Sequence, residues 1–404
     1  MKSKSHIAEY VSPGHPDRLA DAIVESIVDL AVGRDADALV GVECAVHTDH
    51  VFIDGRIAAG GPQPSGEERC AVRPDDIEAI ARRVYRDAGY GGIWIPAPKK
   101  LKILQNVCLE PLSDDERAIR NFSDDQNVVT GYACNHPETD YLPPAHFVAN
   151  FIGRKIDAWR RTVSDAFGPD FKVLVHLDDK DGHYQWRRLT LSLQHRADVF
   201  AAEQHARVLP VVREALSELA SRGLEGIAEL PMDDFILNGA GDFIVGGPEG
   251  DNGLSGKKLA VDFYGPEIPI GGGAICGKDP HKVDVAGAFR ARELARRLLK
   301  ERGGSAVTVR LGWTPGDAAP AFREAERIDS LGVAHAIPPE VLPSEDWFSI
   351  SATVADLRLT AMTRRTRVLS GYFFCERSKS LRHSQNLPTV SAILDQICRH
   401  CWRF

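Results

Sequence analysis

Apolar residues recur at helical spacing after Pro16: Ala20, Ile23, Val24, Ile27 and Leu30 fall on one stripe. Proline suits the first turn of a helix, where its missing N–H is not needed. The period then shortens. Leu39 to Val46 and Val51 to Ile53 read as strands joined by a polar turn, and Asp54-Gly55 can reverse the chain just beyond them. Ile77 to Tyr85 and Phe147 to Trp159 return to the helical pattern. Val173 to Leu177 and Leu189 to Leu193 flank Asp178 to Gly182, a hairpin signal. Leu189, Leu191 and Leu193 share one face there, and Arg188, Thr190 and Ser192 the other, as in half-buried antiparallel sheet. Val208 to Leu219 predicts a helix, as does Val283 to Leu299 with Phe289, Ala295 and Leu299 among its apolar positions. Val307, Val309 and Leu311 alternate as a strand, and Val390 to Ile397 reads as a closing helix.

The stretch from Pro96 to Asp125 has no clear period. Pro96-Ala97-Pro98-Lys99-Lys100 starts neither helix nor strand well, and Asp114-Asp115-Glu116 and Asp124-Asp125 add acidic clusters. It reads equally as a connector or as a mobile cover over a site.

Helices mixed with short antiparallel strands along the whole chain predict an α+β fold rather than a doubly wound parallel sheet. The 404 residues predict two or three domains, with blocks at 1–125, 126–247 and 248–404 that look related without repeating exactly. A composition of 43% hydrophobic and 26% charged residues is globular, and a net charge of -8 argues against broad nucleic-acid binding. No apolar run is long enough for a membrane span, and Met1 to His6 leads into no signal-like core, so a cytoplasmic location is expected. The eight cysteines do not make a disulfide framework. Cys398 and Cys401 form one CxxC around His400 with no second pair nearby to complete a zinc site, and the isolated thiols are expected to be buried apolar residues.

Two clusters carry candidate chemistry. Gly271-Gly272-Gly273 leads to Lys278, Lys282 and Asp284. Lysines bind phosphate as compact charges, a carboxylate can hold Mg2+ against the same phosphates, and three adjacent glycines are costly to order without a use. A solvated helix start is the bland alternative. Gly14-His15-Pro16-Asp17-Arg18 offers an uncharged donor, a metal ligand and a phosphate fork, or simply caps a helix. Lys257 and Lys258 follow Gly256 in a flexible loop that is not a Walker A sequence, because no serine or threonine follows the lysine. Phe243 can stack on a base or pack in a core; Asp170 and Lys172 open a strand and can reach a site or decorate an edge.

In combination, Gly14-His15-Pro16-Asp17, Gly131-Tyr132-Ala133, Gly246-Gly247-Pro248, Gly253 to Lys258 and Gly273 to Asp284 resemble the S-adenosylmethionine synthetases, or methionine adenosyltransferases, over roughly residues 6 to 315. The resemblance implies three related α+β domains in a pseudo-threefold arrangement. It implies ATP and methionine as substrates, Mg2+ and K+ as cofactors, and a homodimer or homotetramer with active sites shared between subunits. Carried over by position, His15, Lys172 and Lys278 are the catalytic candidates. Arg18, Asp125, Asp170, Phe243, Asp251, Lys257, Lys258 and Lys282 are the candidates for substrate contact, and Asp17, Asp284 and Glu43 for metal binding. Tripolyphosphate is expected to be hydrolysed before release. Departures accompany the likeness: Arg18, Lys257 and Asp242 replace other residues, and Arg56 stands where a glutamate that receives the methionine ammonium is usual. The usual C-terminal signals are also missing. These leave open a paralogue that uses a modified methionine or mainly hydrolyses tripolyphosphate, or an ATP-binding subunit that regulates a partner.

Overall fold

The structure is a computed structural model and describes residues 4–61, 69–180 and 182–374. The strands in chain order are β1 (Lys4–Val11), β2 (Leu39–His47), β3 (His50–Ala58), β4 (Lys102–Glu110), β5 (Asn127–Cys134), β6 (Phe167–Lys180), β7 (His183–His195), β8 (Phe235–Leu237), β9 (Gly253–Leu254), β10 (Ala306–Trp313), β11 (Phe322–Ile328) and β12 (Ala334–Ile337). The long helices are α1 (Pro16–Arg34), α2 (Pro74–Ala88), α3 (Pro144–Thr162), α4 (Ala201–Ser221) and α5 (Val283–Arg302). Among the described residues the strands form three four-stranded sheets, ordered β1-β6-β7-β8, β12-β11-β10-β5 and β4-β3-β2-β9. The fold is α+β, as the mixed periodicities predict. The expected closing helix at Val390 to Ile397 and the Cys398/Cys401 pair lie outside the described residues.

Each sheet takes one strand from a distant part of the sequence. β1 pairs with β6 along its whole length, from Lys4 against Asp179 to Val11 against Lys172. β5 pairs with β10, and β9 with β2. An N-terminal strand thus completes the central sheet, a central strand completes the C-terminal sheet, and a strand of the C-terminal block completes the N-terminal sheet.

The β6–β7 hairpin follows the alternation of its residues: Leu189, Leu191 and Leu193 are buried while Arg188 and Ser192 face solvent. Its turn is tighter than the sequence suggests. Asp178 is not in the turn but in β6, ion-paired to Arg187, because Asp179 Oδ1 accepts the Gly182 amide at 2.8 Å and delays the reversal. β4 has no counterpart in the sequence reading. It lies parallel to β3, and α2 supplies the crossover a parallel pair requires. Its alternate residues are exposed or half-buried, never fully buried, so it lacks the apolar face by which strands are recognised.

α1 departs from the single apolar stripe. From Pro16 to Val28 every residue is buried, the polar ones included. The five described cysteines are free, and Cys44, Cys134 and Cys276 are buried as expected; Cys108, on β4, is exposed instead. No helix among the described residues is long and apolar enough to cross a membrane.

α5 packs so closely on β5 that only glycine fits at residue 131: a Cβ there would lie 2.0 Å from the Ala291 carbonyl oxygen. Gly131→Ala must push helix from sheet and is expected to cost about 1–3 kcal/mol, measured as a lowered urea midpoint with an unchanged slope.

Candidate functional site

α1 carries a carboxylate at every fourth residue: Asp17, Asp21, Glu25 and Asp29. Residues four apart lie one above another on a helix, so these form a ladder. Each rung holds groups from segments distant in the chain. Asp17 accepts the Leu254 amide at 2.9 Å and pairs with Lys258 Nζ at 2.6 Å. Asp21 accepts the Gly256 amide at 2.8 Å, the Cys276 thiol at 3.3 Å and Arg18 at 3.1 Å. Glu25 accepts the Gly277 amide at 3.1 Å, Arg364 Nε at 2.6 Å and the Tyr372 hydroxyl at 2.7 Å. Asp29 takes the backbone amides of Arg364 and Arg365 at 2.9 and 3.1 Å. Buried carboxylates are costly without donors, so the ladder fixes the loops that supply them.

The upper rung builds the first cluster. His15 caps α1, and its Nδ1 accepts the Asp17 amide at 3.1 Å. Burial, then the Lys172 charge, pulls its pKa down to about 3, so the ring is neutral at physiological pH. Because Nδ1 is an acceptor, the ring proton sits on Nε2. Burial opposes ionisation of Asp17, but the hydrogen bonds from Lys258 and Leu254 outweigh it and hold the carboxyl below its usual range. Lys257 lies 4.0 Å from the same carboxylate. Lys172, on β6, and Asp251 act electrostatically on both His15 and Asp170. Asp170 is raised to about 6 by burial and accepts the Gly247 amide at 2.7 Å. Gln194 bridges to the loop of Phe243, its Oε1 accepting the Asp170 amide and its Nε2 donating to the Ile244 carbonyl.

The second cluster lies at the start of α5. Lys278 Nζ donates to Asp284 Oδ1 at 2.5 Å, and Lys282 pairs with Asp124. Asp125 is exposed beside Asp124 and accepts the Gln126 amide at 2.8 Å. The loops of the two clusters touch where a Cβ on Gly256 would meet Ala274 Cβ at 3.0 Å. Glu43 lies on the exposed face of β2, directly opposite Asp54 of β3 and two residues from Gly41, which pairs with Lys278.

Arg18 differs from its expected role. Its guanidinium is buried and turned inward, 3.1 Å from Asp21 and 2.5 Å from Asp262, rather than toward a phosphate. Asp262 pulls it there: burial drives that carboxyl's pKa up, and Arg18 compensates the charge. Asp279, Arg120 and Arg364 also shape the site. Asp279 is buried, accepts the Val40 and His281 amides at 2.8 and 2.9 Å and is gripped by Arg120, so it fixes the turn between Lys278 and Lys282. The i, i+4 acidic spacing of α1 was the available signal for the ladder; nothing local marks Arg120 or Arg364.

Comparison with known proteins gives one result throughout. A family model described as the N-terminal domain of S-adenosylmethionine synthetase matches residues 3–106, and one described as its C-terminal domain matches residues 245–377. The S-adenosylmethionine synthase of Maricaulis maris is 33% identical over 336 residues, covering 79% of this chain and 80% of the relative. That of Zymomonas mobilis is 32% identical over 350 residues, covering 83% and 84%. A solved structure titled as an unusual S-adenosylmethionine synthetase from Campylobacter jejuni shares the fold with a TM-score of 0.75 at 21% identity, over 91% of this chain and 94% of that one.

The His15 environment makes a testable statement. The native ring gains a proton only near pH 3, the unfolded one near the ordinary histidine value of 6.5. Its contribution to stability is therefore complete above pH 6.5 and is lost as pH falls toward 3. His15→Asn should flatten the acid side of the stability profile in urea melts, and the native ring should show no NMR titration between pH 5 and 8.

Proposed function

The chain belongs to the S-adenosylmethionine synthetase family, and we propose that its two lysine–carboxylate clusters are two parts of one triphosphate site. The protein is a methionine adenosyltransferase. The sulfur of methionine attacks C5′ of ATP; the C–S bond forms as the C5′–O bond breaks, and the electron pair leaves on the triphosphate. Thioether sulfur carries no proton to remove, so the reaction needs alignment and charge stabilisation rather than a general base.

One observation carries the reading: at the first cluster two lysines, Lys257 and Lys258, face the carboxylate of Asp17, and the second places Lys278 and Lys282 on either side of a fixed turn. Lysines held by carboxylates in the free protein are positioned to take phosphate oxygens instead. His15, neutral and protonated on Nε2, donates to the oxygen leaving C5′ without adding a fixed charge. Lys172 and Asp170 stand beside it on β6, and Phe243 and Asp251 line the adenosine side. Asp125 stands beside the second cluster, where the amino acid enters.

Asp17 and Asp284 fit Mg2+. Among the described residues no three His, Cys, Asp or Glu side chains converge to hold a metal alone. Mg2+ favours one or two carboxylates with substrate phosphates and water, which matches this donor set. When bound it neutralises and orients phosphate oxygens. Glu43 and Asp54 are like charges directly opposite on one sheet face, an arrangement that K+ would relieve. The same face exposes Phe52, Leu104 and Leu254, an apolar surface suited to a second copy of the chain and to a site completed across subunits. Hydrolysis of the tripolyphosphate product belongs to the same reading.

A second reading concerns the acceptor. Arg56 is not left unpaired: Glu110 accepts from it at 3.1 and 2.8 Å and Glu116 at 2.6 Å. Hydrogen bonds from Arg56 hold both carboxyls below their usual range. Arg56 and Lys278 flank Gly41 on one sheet face, and a Cβ on Gly41 would meet nothing within 4 Å. An ammonium group over Gly41 therefore still meets carboxylates, supplied by Glu110 and Glu116. Arg56 adds a contact for an anionic group, which favours a methionine analogue bearing one.

With ATP, methionine, Mg2+ and K+, the purified protein should form an adenosyl sulfonium detectable by mass spectrometry; unchanged ATP would overturn the reading. His15→Asn should lower kcat on the order of a hundredfold while tripolyphosphate binding stays within a few-fold. Arg56→Glu should shift kcat/KM toward methionine and away from analogues with an added carboxylate; an unchanged ratio would remove Arg56 from acceptor selection.

A further inference from the structure

Asn127 is the first residue of β5, and its side-chain Nδ2 is buried with no hydrogen-bond partner among the described residues. A buried donor left unpaired is unfavourable, and such atoms in a folded protein call for a reason. The surroundings supply one. The place a Cβ on Gly273 would occupy lies 2.1 Å from Asp284 Oδ1, 2.9 Å from Asn127 Nδ2 and 3.2 Å from Asn127 Oδ1. Lys278 Nζ binds the same Asp284 oxygen at 2.5 Å. Asn127, Asp284 and Lys278 therefore bound one corner, and Gly273 lies across it.

The cover is built from residues without side chains, Gly271 to Gly273. Gly271 lies against β5, where a Cβ would sit 1.8 Å from the Val128 carbonyl oxygen, while a Cβ on Gly272 would meet nothing within 4 Å. No side chain could stand at 271 or 273 without displacing Val128, Asp284 or Asn127. The glycine run is thus close enough to seal the amide from water and has no side chains of its own to hold it down. Lysine brings positive charge to the corner, and Asp284 negative charge. The Asn127 NH2 is a neutral donor whose hydrogen-bonding capacity is unspent.

We propose that Asn127 is a further substrate-contacting residue: its side-chain NH2 donates to a phosphoryl oxygen held at Lys278 and Asp284, once the Gly271–Gly273 run lifts. This rests on the reading of that corner as part of the triphosphate site. An asparagine here has an advantage over another lysine. It adds a directed hydrogen bond without repelling Lys278, and it carries no charge that must be compensated when the corner is empty.

The test uses the full-length protein, tripolyphosphate with Mg2+, and the variants Asn127→Ala and Asn127→Asp. A hydrogen bond to a charged oxygen predicts that Asn127→Ala weakens tripolyphosphate binding in calorimetry by roughly tenfold. Asn127→Asp, which keeps the shape and reverses the polarity, should weaken it further. KM for ATP should rise in both while KM for methionine holds. The melting temperature of ligand-free Asn127→Ala should stay level or rise, because an unpaired donor has been removed, and tripolyphosphate should raise it less than it raises the native protein. A lower melting temperature with native-like tripolyphosphate affinity would make Asn127 a packing residue and overturn the proposal. Failure of the native protein to bind tripolyphosphate would overturn it together with the triphosphate reading. Tight binding by the native protein, weakened by both variants but with no sulfonium product, would support Asn127 while sinking the adenosyltransferase reading.

Discussion

The structure turns on four carboxylates spaced four residues apart along one buried helix. A carboxylate removed from water must find donors, and three of these rungs are entirely enclosed. Asp17, Asp21 and Glu25 find them in the backbone amides of Leu254, Gly256 and Gly277, residues that lie far away in the chain but next to the site lysines. The folding requirement of one helix therefore sets the positions of Lys257, Lys258 and Lys278. Arg18, Arg364 and Tyr372 complete the compensation of charge, so the interior of this region is polar and densely hydrogen-bonded rather than merely apolar.

This bonding has a functional counterpart. The lysines of the proposed site are held by carboxylates, Lys258 by Asp17 and Lys278 by Asp284. Their rotamer freedom is already reduced before a polyanion arrives, so less ordering remains to oppose binding. His15 belongs to the same economy of charge. Its ring is kept neutral by burial and neighbouring lysines, so in the proposed site it offers a donor without a competing protonation near pH 7. The Arg56–Glu110–Glu116 group sets a different tone at the other side of Gly41: one cation held between two carboxylates, half open to solvent, where exchange of partners is inexpensive.

Much of the local structure was legible because it depends on neighbours in sequence. The stripe after Pro16, the leucine alternation of β7 and the helical run from Val283 each report which side of an element is buried. β4 escaped because neither of its faces is fully buried, and β9 because two residues have no period. The order of the sheets escaped for a different reason. No apolar alternation marks β1, whose covered face carries His6, Ala8 and Tyr10, and nothing local says that β6, more than 150 residues away, pairs with it. The site residues were legible as types: lysines beside glycines, aspartates at helix starts, a histidine before proline. Arg18 shows the limit, because an arginine in such a sequence serves phosphate or a buried carboxylate equally well until Asp262 is brought to it.

By itself the sequence determined the α+β class, most of the helices and hairpins, and the chemistry available to the site, because propensity, periodicity and side-chain type act over a few residues. Only the tertiary structure decided which carboxylate holds which lysine, that Arg18 faces inward, that Arg56 is compensated by Glu110 and Glu116, and that the amide of Asn127 lies unspent beside Asp284. Those outcomes depend on burial and on distances of a few ångströms between residues tens or hundreds of positions apart. Electrostatic and hydrogen-bond energies change over that range, and no local pattern in the chain records them.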